Sequence, residues 1–136
     1  MRLNQASDFA LRILMRLADN GSPMTVEALT NDLHLVKSHV MKIVAKLARA
    51  GIVNSTRGRS GGISLARPMD EISIGEVVRL IEADFAVVEC LREGQSNCVF
   101  SSHCKLRGVM NNATRAFMQV LDQQSLQSIS VSLPLE

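Results

Sequence analysis

The sequence predicts a mainly α-helical fold with one small β-hairpin, arranged as a winged helix-turn-helix followed by a long C-terminal helix. Three observations carry this expectation. Apolar residues recur at helical spacing over most of the chain. The period drops to two only around residues 52–66, and seven Lys or Arg with no Asp or Glu lie between Lys37 and Arg67. Composition agrees: 46% of the 136 residues are hydrophobic but only 3% aromatic, so Leu, Ile, Val, Ala and seven Met must fill the core. These residues favour helices on balance, and the shortage of rings argues against base stacking on aromatic platforms. The length fits one compact domain plus an element used for assembly.

Taken in order, Phe9, Ile13, Leu14 and Leu17 share one face of a first helix over residues 5–19, which Asn20-Gly21-Ser22-Pro23 stops. Thr25 can cap a short second helix with Val26, Leu29 and Leu33 on its apolar side. A third starts near Lys37, turns Val40, Ile43, Val44 and Leu47 inward and stops at Gly51. Residues 52–56 and 62–66 then read as strands joined by Arg57-Gly58-Arg59-Ser60-Gly61, a hairpin with a basic tip. Ser73 and Glu76 form a capping-box pattern at the start of a helix running to about Glu82. Residues 89–104 lack periodicity and read as a loop. From Lys105 a long stripe returns through Leu106, Val109, Met110, Ala113, Phe117, Val120 and Leu121, able to pack on its own domain or on a second copy. A short helix around Leu126 and Ile129 ends the chain.

The third helix is the strongest functional signal. Its outward face carries Ser38, His39, Lys42, Ala45, Lys46 and Arg49, three and four residues apart. An ordinary solvated helix mixes Glu with Lys; this one has no acid. Lys42 and Lys46 suit phosphates or guanine edges, and Ser38 and His39 stand near the end that enters a major groove. Arg57 and Arg59 on a thin glycine-containing tip suit a narrow minor groove, which is the most negative part of a duplex. The predicted partner is therefore double-stranded DNA. The N-terminus lacks a signal-peptide pattern, and no run approaches the ~20 apolar residues of a membrane span. The expectation is a cytoplasmic protein with no membrane partner.

Cys90, Cys98 and Cys104 lie among polar residues, with intervals of seven and five residues between them. An odd count in a reducing compartment argues against a disulfide framework. Neither interval matches the short Cys-x2-Cys knuckle of structural zinc. Wider intervals favour a larger sulfur-ligated object such as an iron–sulfur cluster, with zinc the alternative. Three thiolates leave a fourth position open, for which Asp8, Asp84 and Glu89 are candidates; His103 is adjacent to Cys104, and neighbours rarely chelate one small centre. A thiol redox enzyme is disfavoured, because neither a Cys-x-x-Cys pair nor a cysteine at a helix N-terminus is evident. A disulfide-based redox sensor without metal is a further alternative.

Several of these stretches resemble one bacterial family. They are Ser7-Asp8-Phe9-Ala10-Leu11-Arg12, Arg49-Ala50-Gly51, the wing Arg57-Gly58-Arg59-Ser60-Gly61-Gly62-Ile63-Ser64-Leu65-Ala66, Ile74-Gly75-Glu76-Val77-Val78-Arg79, and the three cysteines. Together they look like the IscR/NsrR/RirA family of winged-helix iron–sulfur transcriptional regulators, from residue 1 to about residue 130. The resemblance implies a homodimer, with the helix from Lys105 crossing to the partner and the cluster near the interface. IscR-like members place a histidine where this chain has Arg107. NsrR-like members can use an aspartate of the first helix from the other subunit, and Asp8 stands there. The resemblance therefore implies a nitric-oxide-responsive repressor with a 4Fe–4S cluster (2Fe–2S the alternative), reading a palindromic operator. An iron-responsive, RirA-like role is the second reading, since residues 82–90 resemble that branch too. Val36 departs from the family, which usually caps the recognition helix with Ser. The expected division is residues 1–82 for DNA binding, 83–104 for the cluster loop and 105–136 for dimerisation.

Overall fold

A capped helix of 16 residues opens the fold, and four later helices pack against it. The structure, a computed structural model, describes residues 2–94, 96–100 and 103–132. Helix α1 (Gln5–Asn20) is capped by Asn4, whose side chain accepts from the Ser7 N–H at 2.8 Å, while the Asn4 N–H donates to Glu82 at 2.7 Å. It ends at Gly21, at φ 68°, a left-handed position that suits glycine. The Thr25 hydroxyl caps α2 (Val26–Leu33) by accepting from the Ala28 N–H at 3.0 Å. His34 closes α2 at φ 53°, the only non-glycine residue with positive φ among those described. Three residues later α3 (Lys37–Arg49) begins at Val36 with no side-chain cap. This is the expected helix-turn-helix.

Strands β1 (Val53–Thr56) and β2 (Gly62–Leu65) pair antiparallel, with Val53 opposite Leu65 and Thr56 opposite Gly62. The hairpin is not free-standing. Met24, in the turn after α1, donates to Ile63 at 2.9 Å and accepts from it at 2.7 Å, tying the wing base to the helices. Helix α4 (Ile74–Ile81), α5 (Lys105–Asp122) and α6 (Leu126–Ile129) follow, with 3-10 turns at Met69–Glu71 and Glu89–Leu91. The second of these turns lies inside the stretch expected to be irregular.

The capping box is only half made where the sequence places it. Ser73 accepts from the Glu76 N–H at 3.4 Å, but the Glu76 carboxylate turns instead to Arg67 at 2.8 Å. A charged partner brought close by the hairpin outcompetes a backbone N–H. A reciprocal box forms at the start of α6, between Ser125 and Ser128.

The core joins α1, α2, α3, the wing base and α4. Ile13, Leu14, Leu29, Val40, Leu47, Ile52, Ile72, Val77 and, from α6, Leu126 are fully buried. Each such side chain is worth about 1.5–3 kcal/mol of burial. A smaller cluster of Ile74, Val78 and Met118 seats the end of α5 on α4. There Arg79 forms a bidentate pair with Asp122, one arm at 2.6 Å, and Leu126 donates to Ile72 at 2.8 Å. Gly75 permits this approach: a Cβ on it would stand 1.9 Å from an Asp122 carboxylate oxygen and 3.0 Å from the Asp122 backbone nitrogen. Along α5 itself only Met118 is buried, and Leu106, Val109 and Val120 are 55%, 61% and 61% exposed. The predicted stripe therefore exists but faces away from its own domain.

Candidate nucleic-acid interface and cysteine loop

Helix α3 is held from behind by the core, and its neighbour α2 is held to α1 by an ion pair on a buried arginine. Arg16, on α1 and 4% exposed, donates to Asp32 at 2.8 Å and to Asp19 at 3.3 Å, fastening α2 to α1. A buried guanidinium persists only if it is paired, so this contact sets the helix-turn-helix geometry. Val40, Ile43, Val44 and Leu47 are buried as expected, which leaves Ser38, His39, Lys42, Lys46 and Arg49 exposed on the opposite face. Arg57 and Arg59 are exposed at the wing tip, where Gly58 takes φ 108°. All six residues predicted for DNA thus lie at the surface, on the recognition helix and the wing.

The structure adds contacts that spacing alone did not show. The His39 ring tilts against Phe9 of α1, centroids 6.1 Å apart, and Arg12 lies 6.0 Å over the same Phe9 ring. His39 and Lys42 line a cleft of about 180 Å³ with Gln5, Ala6, Phe9 and Ile43. Lys37, at the uncapped start of α3, is paired with Glu27 of α2 at 2.6 Å. That hydrogen bond holds the Glu27 carboxyl below its ordinary range. Met41 is an exposed residue of α3 that periodicity left unassigned; its lack of a core position was the available signal.

The cysteines are free and half-buried. Cys90 lies in the 3-10 turn Glu89–Leu91, which packs against α5, and Cys104 is the N-cap of α5. A cysteine therefore does occupy a helix N-terminus, contrary to the sequence expectation, because α5 starts directly after Cys104. The Cys98 N–H donates to the Ser96 hydroxyl at 3.2 Å. Residues 95, 101 and 102 of this loop, and 133–136 of the tail, lie outside those described. Among the described residues, no three His, Cys, Asp or Glu side chains converge closely enough to hold a metal ion. The donor chemistry fits an iron–sulfur cluster, with three free sulfur ligands and no disulfide among the described residues.

Two of the three candidate fourth ligands have other partners within the chain. Asp8 forms an exposed i,i+4 pair with Arg12 at 2.7 Å. Asp84 accepts from the Ala86 N–H at 2.7 Å and pairs with Arg92 at 3.4 Å. Glu89 is exposed. No helix among the described residues is long and apolar enough to cross a membrane.

Comparison with known proteins agrees with this architecture. The Rrf2 family profile, described as an iron-dependent transcriptional regulator, matches residues 3–131. The HTH-type transcriptional regulator NsrR of Bacillus licheniformis is 38% identical over 131 residues, 95% of this chain and 92% of that protein. Two solved structures share the fold. IscR of T. potens superposes with a TM-score of 0.74 at 21% identity, over 95% of this chain and 85% of that one. CymR, the global cysteine regulator of B. subtilis, gives 0.76 at 23% identity, over 96% of each chain. A winged helix with an acid-free recognition face and relatives named as regulators is a DNA-binding transcription factor rather than an enzyme. The chain belongs to the Rrf2 family of transcriptional regulators.

Proposed function

We propose that the chain acts as a homodimeric repressor of a palindromic operator, with its DNA affinity set by a 4Fe–4S cluster and nitric oxide as the signal. Cys90, Cys98 and Cys104 hold the cluster, and the partner subunit's Asp8 completes it. One observation carries the reading: three free, half-buried cysteines bracket the segment between the DNA-binding helices and an α5 that leaves Leu106, Val109 and Val120 exposed. The name of the NsrR relative points the same way. When bound, the cluster supplies thiolate-ligated iron, which is reactive toward nitric oxide.

The chain's own residues supply the coupling. Leu106, Val109, Phe117 and Val120 dock on the same helix of the partner, and α5 carries Cys104 at its first turn. Asp8 must leave Arg12 to serve a partner. An exposed i,i+4 pair is worth only about 0.3–0.5 kcal/mol, so exchanging it for a ligand bond costs little. Engaged, Asp8 ties α1 of one subunit to the loop of the other. Because α1 packs on α3, that tie fixes how far apart the two recognition helices stand. Lys42 and Lys46 then meet phosphates in successive major grooves, while Arg57 and Arg59 enter the flanking minor grooves.

The family description favours iron availability as a second reading of the same site. One experiment separates the two: binding by the anaerobically purified protein to a duplex it has enriched from a random pool, during titration with nitric oxide or with an iron chelator. Affinity falling about tenfold or more as nitric oxide bleaches the visible absorption supports the first reading. A loss with the chelator only supports the second. Affinity unchanged by either treatment, once the absorption is gone, overturns both.

A further inference from the structure

Two large apolar side chains of the DNA-binding unit take no part in its core. Met41 is 54% and Val36 61% exposed, whereas the adjoining Val40, Ile43 and Val44 are buried. All other large exposed hydrophobic side chains among the described residues lie beyond residue 86, in the cysteine loop, α5 or the tail. Met41 stands on the row of α3 shared with Ser38 and Ala45, one residue before Lys42.

Its surroundings limit what it can recognise. Met41 lines a cleft of about 290 Å³ between α2, α3 and the wing, together with Glu27, Lys37, Thr56 and Gly58. Glu27 is the only carboxylate and Lys37 the only amine there, and they are paired at 2.6 Å. The cleft is thus close to neutral, while Lys42, Lys46, Arg57 and Arg59 beside it carry unopposed positive charge along the rows that meet phosphates. A thioether donates no hydrogen bond and accepts only weakly. Of the groups a duplex displays in its major groove, the thymine C5-methyl is the one an apolar side chain complements.

We propose that Met41 is a specificity-determining residue that reads a thymine methyl in each half-site. This rests on the reading of α3 as the helix that enters the major groove. Phosphate contacts from Lys42 and Lys46 set the register, and Met41 discriminates within it. The contact favours a T·A pair over any pair lacking that methyl at the position beneath the cleft.

The test removes one methyl at a time. A random duplex pool is enriched with the anaerobically purified full-length protein, and each thymine of the enriched half-site is then replaced singly by uracil. Burying a methyl is worth about a factor of four in affinity. One thymine per half-site should therefore show about a fourfold loss on replacement by uracil. Met41→Ala, at an exposed position, should bind thymine and uracil duplexes equally and about as well as the wild type binds a duplex with uracil in both half-sites. Met41→Leu should retain the preference. The inference alone is overturned if no thymine responds, if none is enriched, or if Met41→Ala keeps the same methyl dependence. No enriched sequence at all would overturn the α3 reading and this one with it.

Discussion

The DNA-binding helices and the cysteine-bearing segment meet the same requirement, burial of apolar surface, in opposite ways. Helices α1 to α4 and the wing satisfy it within one chain, with Ile13, Leu14, Leu29, Val40, Leu47 and Val77 all at zero exposure. The cysteine loop and the first part of α5 do not: Phe100, Leu106 and Val109 stand in solvent, and the three cysteines form no disulfide among the described residues. The two regions meet at the Arg79–Asp122 pair and the Ile74–Val78–Met118 cluster, which anchor α5 by its far end only. A well-formed amphipathic helix with an uncovered stripe speaks about assembly rather than poor folding. The first region is complete in one copy, and the second, on the proposed reading, is half of a shared site.

That contrast can be broken in several places. The largest effect is expected inside the self-sufficient region. Arg16→Ala removes the buried fastener between α1 and α2 and should cost about 2–3 kcal/mol in chemical denaturation. Visible absorption of the isolated protein should change less than DNA affinity. Gly75→Ala acts at the joint, forcing Asp122 off Arg79, and should lower stability by about 2 kcal/mol while altering the α5 seat. Lys46→Ala tests the interface without touching the core. It should weaken binding to all duplexes about equally and lower the salt-dependence slope by about one, as measured by anisotropy at several salt concentrations. The smallest effect concerns acid. The Arg79 hydrogen bond holds Asp122 below its ordinary range. The stability it adds is therefore complete above that range and disappears as pH falls through the lowered value. Asp122→Asn should flatten that dependence in acid melts while leaving the rest of the curve in place.

Much of the first region was legible because it depends on local pattern. The spacing of Val40, Ile43, Val44 and Leu47 predicted the buried face of α3, and Thr25, Gly21 and the basic hairpin stand where their chemistry places them. What escaped depends on distant partners. The Met24–Ile63 pairing joins residues 39 apart in sequence, and Glu76 chose Arg67 over its own helix start because the hairpin brings that arginine near. The start of α5 at Lys105 was legible in the apolar stripe, whereas the place of Cys104 as its N-cap is set by backbone geometry that periodicity does not report. Met41 was overlooked although its place off the buried face was readable, because only its exposure beside the wing gives that place a meaning. The proposed ligands can be named from residue type but not from geometry, since no three His, Cys, Asp or Glu side chains converge on a metal site among the described residues.

The most direct test is to spoil the uncovered stripe and leave the cysteines untouched. Leu106→Glu with Val109→Glu places charges on the exposed face of α5, where neither residue supports its own domain. Sedimentation velocity and visible spectroscopy on the anaerobically purified variant should show a folded monomer that has lost both its cluster absorption and its tight operator binding. A variant that stays dimeric, or a monomer that keeps full absorption and a nitric-oxide-sensitive grip on DNA, would contradict a shared site between two copies.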